Sequence, residues 1–82
     1  LGTVCSLVKV KKLGDQYKYL LSVANKGMNI INVSIYNDLG EQVIYNAHII
    51  EGDFAIVYNL VKAGAYTFVI TDKDGRSSTI EL

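Results

Sequence analysis

The chain has 82 residues and a mass of 9.0 kDa, room for one hydrophobic core but not for a core with a separate catalytic lobe, so residues 1–82 read as a single domain. With 50% hydrophobic and 20% charged residues the composition is that of a folded globular chain. Eight Lys and Arg balance eight Asp and Glu, so no net field draws the chain to nucleic acid or acidic lipid.

The 3.6-residue period of an amphipathic helix is missing, whereas period-two alternation recurs in short segments, which predicts an all-β chain. A first strand over 4–11 puts Val4, Val8 and Val10 on one face with Ser6, and Lys9 and Lys11 on the other. A second over 16–24 turns Tyr17, Tyr19, Leu21 and Val23 inward. The third, 29–36, turns Ile31, Val33 and Ile35 inward against Asn32, Ser34 and Tyr36. The fourth, 41–50, is apolar on both faces, and Val43, Tyr45 and Ala47 are the favoured inward set over Ile44 and Ile50. The fifth, 54–60, shows Phe54, Ile56, Tyr58 and Leu60 on one face. The sixth, 65–71, alternates Tyr66, Phe68 and Ile70 with Thr67, Val69 and Thr71, and the seventh, 76–82, presents Ser78, Ile80 and Leu82.

The turns sort these strands into sheets. Asn37-Asp38-Leu39-Gly40 and Asp72-Lys73-Asp74-Gly75 share one grammar, Asn or Asp first and Gly three later, which joins two strands of an antiparallel hairpin. Gly14-Asp15 makes the first hairpin. The link from Leu60 through Gly64 to Tyr66 differs: Leu, a Gly-containing bend and Tyr predict a tyrosine corner, in which the phenol bonds back to the backbone where the chain changes sheet. Strands one, two and five then pack on strands four, three, six and seven, an all-β, seven-stranded antiparallel Ig-like sandwich ordered as in fibronectin type III domains. Tyr66, Gly64, Leu60, Gly40 and Gly75 are its structural positions. Proline is absent, so edge protection falls to Lys9, Lys11 and Lys12 and to bulges at the turn glycines.

Candidate chemistry is sparse. Asp72 and Asp74 beside Gly75 look like the opening of a calcium loop, but the bidentate Glu that such a loop needs lies beyond Leu82, and a hairpin turn explains the same residues. Asn32-Val33-Ser34 is a glycosylation sequon inside a predicted strand. His48 has no second His or neighbouring Cys, and Cys5 alone gives neither a disulfide nor a Cys-based zinc site, so no metal or cofactor is implied. No serine, histidine and acid set assembles, and an enzyme is not expected. Four of the six tyrosines fall on inward faces. Tyr36 and Tyr45, flanking one hairpin, remain as surface rings on which a sugar could stack. No run of apolar residues is long enough to span a membrane, and the opening at Leu1, without Met or an apolar leader, reads as a processed or trimmed piece.

From Tyr17 to Leu82 the chain resembles the small Ig-like sandwich modules of secreted and envelope proteins of Bacteroidetes, including the carboxy-terminal sorting domains of type IX secretion. Three stretches carry the resemblance: Val33-Ser34-Ile35-Tyr36-Asn37-Asp38-Leu39-Gly40-Glu41-Gln42-Val43, the run from Tyr58 to Phe68 with its Leu60, Gly64 and Tyr66, and the closing hairpin from Thr71 to Gly75 with Thr79-Ile80-Glu81-Leu82. Sorting domains usually open with an Asn-Pro element, which a chain without proline lacks, and often end in a more basic strand. The resemblance implies a non-catalytic secreted or envelope-associated bacterial accessory module with a protein or glycan partner. Its narrower forms are a sorting or anchoring domain of a larger secreted protein and a weak carbohydrate-binding module.

Overall fold

Seven strands form among the described residues, which in this computed structural model are 6–14, 17–25, 30–50 and 52–82. They are β1 Ser6–Leu13, β2 Lys18–Asn25, β3 Ile30–Tyr36, β4 Gln42–Ile50, β5 Phe54–Asn59, β6 Thr67–Asp72 and β7 Ser77–Glu81, and no described residue is helical. All pairings are antiparallel. They build one sheet in the order β1-β2-β5 and a second in the order β4-β3-β6-β7, the arrangement that the turn grammar predicts.

The sheets meet through alternate residues, as a strand with one buried face requires. Tyr19, Leu21, Val23 and Tyr58 from the first sheet bury against Val33, Ile35, Phe68 and Ile70 from the second, and Val8, Val10, Phe54, Ile56 and Ile80 close the rim. Three ring contacts cross between sheets: Tyr19 with Tyr66 at 5.7 Å, Tyr19 with Phe68 at 5.8 Å and Tyr58 with Phe68 at 6.2 Å. These edge-on and tilted geometries suit ring quadrupoles. The amide of Asn46 on β4 donates to the hydroxyl of Tyr58 on β5 at 2.9 Å, tying the two sheets by a polar link as well.

Two side-chain assignments need correction. On β4, Val43, Tyr45 and Ala47 face solvent and Ile44 packs on the core. The reason is a bulge: Ile35 pairs with Ile44 and Tyr36 with Gln42, so Val43 has no partner and the alternation changes phase there. Tyr17 is half-buried rather than a core strand residue, because it precedes β2 at φ +54°, in the turn. Val4 and Cys5 lie outside the described residues, as do Asp15 of the first turn and the side chains of Ile31 and His48. Lys9, Lys11 and Lys12 are exposed along β1, an edge strand. Ser34 is buried although it faces outward, since β3 has neighbours on both sides.

Candidate functional site

The β3–β4 and β5–β6 connections meet at one end of the sandwich, where the carbonyl of Tyr17, just before β2, accepts from the N–H of Leu60 at 3.0 Å. At that end the β3–β4 connection is held by Asn37, whose Oδ1 accepts from the backbone N–H of Leu39 at 3.0 Å and of Glu41 at 2.9 Å, while its amide donates to the Glu41 carboxylate at 2.9 Å. The N–H of Gly40 closes the turn on the Asn37 carbonyl at 3.1 Å, and Gly40 stands at φ +78°, where a side chain is disfavoured. The β6–β7 turn repeats the pattern. Asp72 Oδ1 accepts from the N–H groups of Asp74 and Arg76, both at 2.9 Å, and Gly75 takes φ +81°. This repetition makes Asp72 and Asp74 a turn device. Asp72 is fully buried, and its second oxygen lies 3.3 Å from Arg76 Nε, an ion pair that falls short of hydrogen-bond geometry.

The β5–β6 link bends at Val61, which adopts φ +71°, and the N–H of Lys62 donates to the carbonyl of Leu60 at 2.8 Å, a γ-turn in its strained form. Leu60 packs on the core, Gly64 stands at φ +155°, and the Tyr66 hydroxyl donates to the carbonyl of Lys62 at 2.8 Å. The phenol therefore bonds back to the backbone four residues upstream, with its ring buried. Desolvation raises the Tyr66 pKa above that of a free phenol, with the neighbouring Tyr19 and the carboxylate of Asp38 adding to the rise.

Between the Asn37 turn and this link runs an open groove of about 350 Å³. Leu39 (78% exposed), Val61 (76%) and Val43 (45%) stand along it, and Asp38, Glu41 and Lys62 are its charged residues. The exposure of three large aliphatic side chains around one groove has no signal in the periodicity of the strands. The nearest clue in the sequence is Leu39 itself, an aliphatic residue at the position where the matching turn carries Asp74.

Tyr36 and Tyr45 both stand on the outer face of the four-stranded sheet, since Val33, Ile35 and Ile44 take the inner one. Tyr45 pairs with Ser34, two residues before Tyr36. Tyr45 is 55% exposed, and the half-buried Tyr36 donates its hydroxyl to Gln42 Oε1 at 3.4 Å. Asn32 and Ser34 of the sequon sit inside β3. Among the described residues no three His, Cys, Asp or Glu side chains come together as a metal centre requires, and no helix is long and apolar enough to cross a membrane.

No family model, curated protein or solved structure matches this chain.

Proposed function

We propose that this chain is a non-catalytic interaction module of Ig-like, fibronectin type III-like build, serving as a secreted or envelope-attached accessory domain. The observation that carries the reading is the convergence of Leu39, Val43 and Val61, all exposed, on one groove of an otherwise well-packed sandwich. Clustered exposed aliphatic side chains mark a contact surface, whereas single ones are ordinary. The sheet order and the phenol-to-backbone bond at the sheet change support the Ig-like class, and the resemblance over residues 17–82 supports the compartment. A Leu39→Ser/Val61→Ser double variant, clearing two exposed side chains, is expected to melt like the parent and to lose a protein that co-purifies with the parent from its native source. An unchanged set of co-purifying proteins overturns the reading.

A second reading, carbohydrate binding, is favoured by one observation: Tyr36 and Tyr45 share a face, Tyr45 lying opposite Ser34, two residues along β3 from Tyr36. Aromatic rings are strong anchors on flat surfaces. A glycan array without hits, or hits insensitive to Tyr45→Ala, removes it.

A further inference from the structure

Each exposed aliphatic side chain at the groove is delivered by a separate irregularity of the backbone. Leu39 is the third residue of the Asn37–Gly40 turn, Val43 is the unpaired residue of the β4 bulge, and Val61 is the centre of a γ-turn at φ +71°. A β-branched residue in the left-handed region stores conformational strain, and here its side chain is 76% exposed, so the fold itself gains little packing from it. Strain without a return inside the fold points to a contact made outside it.

The polar side chains of the groove define that contact's chemistry. The Tyr66 hydroxyl has its proton engaged by the Lys62 carbonyl, so what it still offers is a lone pair. Asn37 has its amide on Glu41 and its oxygen on two backbone N–H groups. Asp38 and Glu41 contribute two carboxylates against the single ammonium of Lys62. The groove is aliphatic along its length and, in its polar side chains, rich in acceptors with one negative charge in excess. The matching partner presents an apolar group beside a cationic donor.

We propose that the groove binds an extended segment of another protein in which a leucine-sized or aromatic side chain neighbours a lysine or arginine. The apolar group seats among Leu39, Val43 and Val61, and the cation lies against Asp38 and Glu41. This specifies the partner of the interaction-module reading and rests on it. The openness of the groove favours a protein segment: walls as exposed as Leu39 and Val61 leave a free small molecule largely wetted, whereas ligand sites enclose most of their ligand. A symmetric contact between two copies is disfavoured because it sets the excess carboxylates of each against the other.

The test pans a random peptide library displayed on phage against the purified chain and then measures synthetic versions of the enriched peptides. The expected result is enrichment of sequences with an apolar residue next to Lys or Arg. Leu39→Ser and Val61→Ser should each weaken binding about tenfold or more. Asp38→Asn/Glu41→Gln should weaken it and flatten its salt dependence, while Tyr45→Ala on the outer sheet face leaves it unchanged. Thermal melts of every variant separate lost binding from lost fold. The proposal is overturned by an absence of enrichment, by binding that survives Leu39→Ser and Val61→Ser, or by self-association in sedimentation equilibrium that Leu39→Ser abolishes. Enriched peptides that are acidic yet depend on Leu39 overturn the partner chemistry while leaving the module reading standing.

Discussion

The ring of Tyr66 stands 5.7 Å from that of Tyr19, edge-on across the two sheets, while its hydroxyl donates to the carbonyl of Lys62 in the β5–β6 link. One side chain therefore couples the packing of the sandwich to the shape of the loop that borders the groove. Backbone bonds to Leu82 in both directions, each 2.9 Å, extend the β6–β7 ladder by one pair and fix Tyr66 at its end as well.

Replacing Tyr66 by Phe removes only the hydroxyl and its part-buried bond to the Lys62 carbonyl, and the loss should be about 0.5 to 1.5 kcal/mol. Tyr66→Ala empties a buried aromatic position and should lose about 3 to 5 kcal/mol, enough to unfold a domain of this size. Thr67→Ala, on the opposite face, should stay within about 1 kcal/mol. Urea melts of the three variants check the order, and a Thr67 variant weaker than Tyr66→Ala would contradict it.

Asn37 and Asp72 hold their turns by the same hydrogen bonds but in different surroundings. Asp72 is fully buried beside Arg76, whereas the bonds of Asn37 lie at an exposed turn. Removing a buried acceptor leaves two N–H groups without their partner and takes away one of the two carboxylates beside Arg76, Asp74 staying at 3.0 Å, so Asp72→Ala should lose about 2 to 4 kcal/mol. Asn37→Ala should lose about 1 kcal/mol or less, since water replaces the amide. Equal losses for the two in denaturant melts would show that burial is not what separates them.

Alkaline pH should weaken the fold through two phenols. Burial raises the Tyr58 pKa, partly offset by the hydrogen bond from Asn46, and raises that of Tyr66. A group whose folded pKa lies above its unfolded value near 10 keeps more protons in the folded state. Its contribution is then complete below about pH 10 and is lost as pH climbs through the folded pKa. Urea midpoints should fall from about pH 9 to about pH 11, and less steeply in a Tyr58→Phe/Tyr66→Phe variant. An equally steep fall in that variant would assign the pH dependence to other groups.

Val61→Gly relieves a strained φ worth on the order of 1 to 3 kcal/mol while adding roughly 0.4 to 1 kcal/mol of chain entropy to the unfolded state, so a net gain of about 1 kcal/mol is expected. A gain in thermal melts together with weaker peptide binding would show a stabilising change that harms function, the usual mark of a residue kept for contact. A loss of stability would instead mean that Val61 packs usefully in the folded chain.

What could be read from residue order follows from where alternation is clean. On β2, β5 and β6 burial alternates from one face to the other, so Tyr19, Tyr58 and Phe68 announce their orientation by period alone, while on β3 it is the residue types that alternate, Val33 and Ile35 against Asn32 and Ser34, although Ser34 is buried as well. β4 hides its orientation because a bulge residue looks like any other valine, and Val43 shifts the phase of everything after it. The paired turns were legible through Asn37, Asp72 and their glycines. The groove was not, because it depends on a positive φ at Val61, a residue type that gives no reason to expect one, and on two connections that meet only in space.

The pairings of β2 with β5 and of β3 with β6 join segments far apart in the chain, such as Tyr19 with Tyr58 and Val33 with Ile70. Long loops must close before these contacts reward them, which places folding on the millisecond-to-second scale of β-sandwiches. With no X–Pro bond to isomerise, refolding should follow one exponential rather than trailing a slow phase. Phe68 touches both Tyr19 and Tyr58, partners across the β2–β5 ladder, so that ladder supplies the surface on which β6 docks. The rate-limiting ensemble is then expected to contain this three-ring cluster, and Phe68→Leu should slow refolding more than it speeds unfolding.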